Sequence, residues 1–138
     1  EMLRILLKRF IILCTRIARE KFSVSPEREK AFDMVRQFYV LVDNHFKEKK
    51  MVQDYADMLH RSPKTLSNLF TTCGLPSPLR IIHERIEAEA KRLLLYSQKS
   101  AKEITEILGF EDQATFSRFF KKMTGESVSE YRKREKQE

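Results

Sequence analysis

The stretch EITEILGFEDQATFSRFFKKMTGESVSEYR (103–132) decides the fold. Ser100 stands three residues before Glu103, the spacing of a capping box, and Ile104, Ile107 and Leu108 follow at helical intervals. Gly109 turns the chain, and Asp112 is placed to cap a second helix that runs to about Met123 and stops at Gly125. At 100° per residue Phe116, Phe119, Phe120 and Met123 fall on one side of that helix, which must be core. Ala114, Ser117, Arg118 and Lys121 then point away, with Gln113 on the flank at the helix start. Ser127 and Glu130 form another capping box, opening a last short helix around Val128 and Tyr131.

Working outward, the same pattern occurs earlier. VQDYADML (52–59) matches AKEITEIL (101–108), and LSNLF (66–70) matches FSRFF (116–120). The offset is 49 residues before the turn and 50 after it, so the second copy has one extra turn residue. In the first copy Tyr55, Ala56, Met58 and Leu59 are expected inside, and His60 and Arg61 make a tight turn. Ser62 and Pro63 start a helix to about Thr72, before Gly74. Leu66, Leu69 and Phe70 are its inner residues; Lys64, Ser67, Asn68 and Thr71 face out. Each copy is a helix-turn-helix outline, whose second helix enters the major groove in proteins that read DNA. Ser77 and Pro78 begin the longest helix of this half, about Leu79 to Tyr96, with Leu79, Ile82, Ile86, Ala90 and Leu93 as its inner stripe. Upstream, a helix from Pro26 to about Phe46 turns Ala31, Met34, Val35, Phe38, Leu41 and Val42 inward, and residues 47–50 form a charged turn. Both outward faces are built of small or hydrogen-bonding side chains with little acid. Such a face suits base edges and phosphates; one alone is better read as plain solvation, and its repetition at matched positions behind matched turns favours DNA.

Residues 2–22 form an amphipathic helix with Leu3, Leu6, Phe10, Leu13 and Ile17 on a stripe widened by Leu7, Ile11, Cys14 and Ala18. The stripe serves either as core, of this domain or of a preceding one, or as a dimer seam. Ser23, Val24, Ser25 and Pro26 break the pattern. The net charge is +7, of which residues 1–22 hold +4 while 51–76 are neutral, so bulk charge only permits a nucleic-acid partner. Cys14 and Cys73 are isolated, and His45, His60 and His83 lack metal-ligand spacing; no metal, cofactor or disulfide framework is expected. No nucleophile elbow or phosphate loop occurs, which excludes the common enzyme signatures. No apolar run approaches a membrane span.

From about Val35 to Arg134 the chain resembles the DNA-binding domain of the AraC/XylS family of bacterial regulators. The likeness rests on SPKTLSNLF (62–70), IIHERIEAEAKRLLL (81–95) and, above all, the 103–132 motif. It implies an all-α fold of two helix-turn-helix subdomains (51–74 and 100–124) joined by a linker helix (78–97). Residues 26–138 would be the DNA-binding domain, and residues 1–25 the amphipathic helical tail of a sensor or dimerisation domain. It places Gln113, Ala114, Ser117 and Arg118 at base-reading positions, with Lys64, Ser67 and Asn68 as their counterparts in the first unit. Lys121 and Lys122, a turn further on, suit phosphates. Double-stranded DNA is the implied ligand, RNA polymerase the implied partner, a homodimer through residues 1–22 an open option, and the bacterial cytoplasm the implied location. This chain departs from the family where Asn68 replaces an arginine, where Thr71 and Thr72 replace lysines, where Leu75 replaces a glycine and where Val128 replaces a proline. The competing class is a helical protein-interaction module that reads no DNA.

Overall fold

Ser and Asp caps punctuate the chain into helices, all in a computed structural model that describes residues 1–21 and 25–137. Ser23 and Val24 of the predicted break, and the Ala18 side chain of the predicted stripe, lie outside the described residues. The elements are α1 (Met2–Lys21), α2 (Pro26–His45), α3 (Val52–Met58), α4 (Pro63–Thr72), α5 (Pro78–Tyr96), α6 (Ala101–Ile107), α7 (Gln113–Thr124) and α8 (Val128–Glu135), with no strand among the described residues. The all-α expectation holds, and helix boundaries fall within a residue or two of those read from caps and glycines. Ser62, Ser77, Ser100, Asp112 and Ser127 each accept a backbone N–H three residues on, satisfying donors that a helix start leaves open.

The chain separates into two compact units, Glu1–Asp33 and Met34–Glu138. The division falls inside α2, eight residues beyond the expected boundary at 25/26, because the first turns of α2 bury nothing while Val35, Phe38 and Val42 are buried. Within Glu1–Asp33, α1 leaves Leu3, Leu6, Leu7, Phe10, Leu13 and Ile17 exposed, with Phe10 64% accessible.

Within Met34–Glu138 the core is centred in its first half on Phe38, whose ring meets Phe70 edge-on at 5.0 Å and Tyr55 at 5.5 Å. The Tyr55 hydroxyl donates to Lys49 O at 2.7 Å, and burial pushes its phenol well above the usual range. Helix α5 packs against α3 and α4 and also against α6, α7 and α8. Its burial turns around the helix accordingly, from Pro78, Ile81 and Ile82 at the start to Ile86, Glu89, Ala90, Leu93 and Leu94 further on. That rotation corrects one expectation. Leu79, predicted inside on a single straight stripe, is 43% exposed, and Pro78 and Ile81 are buried instead. The buried Glu89 carboxylate is held by Arg92 through two hydrogen bonds and by Arg85 at 3.8 Å. At the far end Phe120 packs edge-on to Tyr131, and Arg132 donates to Leu94 O and Lys99 O, closing the C-terminus of α5.

The two inter-helix turns begin alike. His60 and Gly109 both adopt positive φ, 54° and 72°. Each N–H bonds three residues back, to Asp57 O and Glu106 O, and the following N–H bonds to Ala56 O and Thr105 O. The first turn then reaches its cap, Ser62, one residue sooner than the second reaches Asp112, which is the extra residue of the repeat. Gly109 is also crowded: a Cβ there would run into Lys47 O. The repeated turn therefore predicts opposite responses to glycine chemistry. His60→Gly should stabilise the fold by about 0.5–1 kcal/mol, the left-handed strain of a side chain outweighing glycine's entropy. Gly109→Ala should destabilise it by roughly 2 kcal/mol or more, through strain at positive φ and the Lys47 clash. Urea unfolding of the three proteins checks both signs.

Candidate nucleic-acid interface

The second helix of each unit is held by what it buries, and that fixes what it offers. In α4, Leu66 and Phe70 are buried and Leu69 packs partly against the core; in α7, Phe116 and Phe120 are buried and Phe119 is partly so. Phe110, just after the Gly109 turn, lies with its centroid 5.3 Å from both Phe116 and Phe119. Phe119 in turn meets His83 of α5 edge-on at 5.3 Å. Rotated to match, the two helices present Lys64, Ser67 and Asn68 from α4, and Ala114, Ser117 and Arg118 from α7, at equivalent positions.

Of the nine residues singled out from sequence, Lys64, Ser67, Asn68, Gln113, Ala114, Arg118, Lys121 and Lys122 are exposed. Ser117 is half-buried, so it stands further back than expected. Arg118 donates from Nη2 to Thr115 Oγ1 at 3.4 Å, a long bond, and among the described residues no ion pair joins it to Glu111. Thr115, half-buried, was not among the sequence candidates; its only advance signal is its place one turn before Arg118. The Asp112 cap accepts Thr115 N at 2.7 Å, and its carboxyl is held below the ordinary value first by that bond and further by Arg118. Lys122 lies toward α5, where burial, and then the Lys122 charge, lower the His83 imidazole.

The two outward faces differ in charge. Helix α7 contributes Arg118, Lys121 and Lys122 and no acid, whereas α4 contributes Lys64 alone. Thr71 and Thr72, at the positions matching Lys121 and Lys122, turn their hydroxyls back onto Ser67 O and Asn68 O at 2.9 and 2.8 Å. Among the described residues no group of His, Cys, Asp or Glu is placed to hold a metal, and no helix is long and apolar enough to cross a membrane. Cys14 and Cys73 are both free.

A family model described as a helix-turn-helix domain matches residues 55–134. The chain is 30% identical to the uncharacterized HTH-type transcriptional regulator YisR of Bacillus subtilis (strain 168), across 88% of this chain and 41% of that protein. It is 36% identical to the arabinose operon regulatory protein of Salmonella typhimurium, across 67% of this chain and 31% of that protein. It therefore spans less than half the length of these curated relatives. The C-terminal domain of AraT, a response regulator from Geobacillus stearothermophilus, superposes with a TM-score of 0.65 and 29% identity, covering 72% of this chain and 84% of that domain. With the paired helix-turn-helix units on one linker and the match over residues 55–134, the chain belongs to the AraC/XylS-type family of helix-turn-helix, DNA-binding transcriptional regulators.

Proposed function

We propose that residues 26–138 read a specific sequence in double-stranded DNA by setting α4 and α7 into successive major grooves, with 51–74 and 100–124 as the two reading units and 78–97 as the linker. The observation that carries this is the pair of exposed, acid-free outward faces at matched positions on α4 and α7, each behind a turn of the same opening geometry. In this reading Arg118 takes the O6/N7 edge of a guanine, Gln113 an adenine edge, and Ala114 a thymine methyl. Ser117, being half-buried, makes at most a short contact. Lys121 and Lys122 hold phosphates, so the second unit anchors more strongly through charge. Lys64, Ser67 and Asn68 supply the first unit's contacts with a single cation among them.

The protein does no chemistry of its own in this reading. It acts in the bacterial cytoplasm on promoter DNA, with RNA polymerase as the partner whose initiation it alters. Residues 1–22 hold two copies together: the exposed stripe of α1 repeats at three and four residues and has the breadth of a helix–helix seam. Sedimentation velocity should show a concentration-dependent shift to dimer that Phe10→Glu removes; a wild-type monomer at high concentration would overturn the seam.

Base reading and phosphate anchoring respond differently to truncation. Arg118→Ala should cost about 1–3 kcal/mol on the preferred site and flatten discrimination at one base pair. Lys121→Ala should weaken all duplexes about equally and lower the dependence of log K on log salt by roughly one unit. Titration against single-base variants of a selected site at two salt concentrations checks both, and an unchanged ranking of sites for Arg118→Ala removes it from base reading.

A further inference from the structure

The loop 47–50 between α2 and α3 leads directly into the first reading unit, 51–74, yet it touches the turn of the second. A Cβ on Gly109 would run into Lys47 O, so the two backbones lie in direct contact. Lys50 Nζ fills the corner they make. It donates to Lys47 O at 2.7 Å and to Gly109 O at 3.2 Å, and stands 5.1 Å from the centroid of the Phe110 ring. Phe110 packs directly on Phe116 and Phe119, the inner residues of α7. The chain of contacts thus runs from the first unit through one ammonium to the second reading helix, without passing through α5.

Behind this corner the end of α2 is fastened to α5 as well. Arg85 pairs with Asp43 of α2 at 2.9 Å and lies 4.2 Å over the Phe46 ring. The linker helix carries Arg85 toward α2 and His83 toward Phe119 of α7. Both units pack on this one helix, and the Lys50 contact, made away from it, adds a second tether between them. The Lys50 ammonium is half-buried, and that burial, opposed by Glu48, lowers its pKa. Two carbonyl acceptors and an aromatic face offset the desolvation.

We infer that Lys50 is a positioning residue that sets the register between the two reading helices, through its hydrogen bonds to Lys47 and Gly109 and its seat on Phe110. It touches no DNA in this assignment. Its effect is on which spacing of half-sites the protein accepts, and the inference rests on the reading proposed above, in which both α4 and α7 engage one duplex. A rigid pair gains from simultaneous engagement only where the half-sites match its fixed separation. One inserted base pair moves a half-site by about 3.4 Å and about 34°, beyond what side chains absorb.

The test is binding of the full 138-residue chain to a selected duplex and to versions with one base pair added or removed between the half-sites. Wild type should lose on the order of 100-fold when the spacing changes, and Lys50→Met only about tenfold, as looser units re-engage at the wrong separation. Lys50→Met should bind each isolated half-site as wild type does, which a general loss of fold would not allow. Lys50→Gln, which keeps an N–H donor of similar reach, should fall between the two and serves if Lys50→Met does not fold. An unchanged spacing profile in a folded variant overturns the inference while leaving the DNA reading in place; so does failure of both variants to fold, which makes Lys50 structural only. If wild type distinguishes no duplex from any other, the DNA reading fails and this inference with it.

Discussion

Neither helix-turn-helix unit holds together without α5. Helices α3 and α6 are seven residues each, and α4 and α7 ten and twelve, all at or below the length at which an isolated helix is marginal in water. Two such helices cannot enclose the rings they carry. Each pair becomes stable by laying its apolar side on the linker, and α5 answers with burial that rotates along its length to serve both. The disposition of the outward faces follows, because a reading helix pinned by Phe116 and Phe120, or by Leu66 and Phe70, has its opposite side determined by helical geometry. The surface offered to a ligand is the complement of the core.

That dependence also explains why the two units are unequal. The inner faces are nearly interchangeable, with large apolar residues at matched positions and the same positive-φ start to the turn. The outer faces are not, since nothing in the core constrains them. Helix α7 gathers three cations, whereas α4 has one and folds its last two threonine hydroxyls back onto its own carbonyls. In the proposed DNA reading, electrostatic anchoring is therefore concentrated in the second reading unit, where the cations are.

Much of this was legible in the residues themselves. Caps and capping boxes at Ser62, Ser77, Ser100, Asp112 and Ser127 announce helix starts locally, and the 49- and 50-residue offsets announce the repeat. Lys64, Ser67, Asn68, Gln113, Ala114, Arg118, Lys121 and Lys122 are exposed, in line with the periodicity of their neighbours; Ser117, expected to point away with them, is half-buried. What escaped was non-local. Leu79 was misplaced because one stripe was drawn through a helix that packs on two sides. Residues 47–50 read as a charged turn, and nothing in their spacing signals that Lys50 reaches 59 residues along the chain to Gly109. The division of α2 at Asp33 likewise depends on what the later half touches, not on a breaker.

One chain that reads DNA twice along one face leaves two marks on the duplex. Hydroxyl-radical footprinting of the chain on a selected duplex tests this most directly. Two protected patches about one helical turn apart on the same face, together covering roughly two turns without a palindrome, are the predicted result. Protection confined to a single half-turn would contradict it.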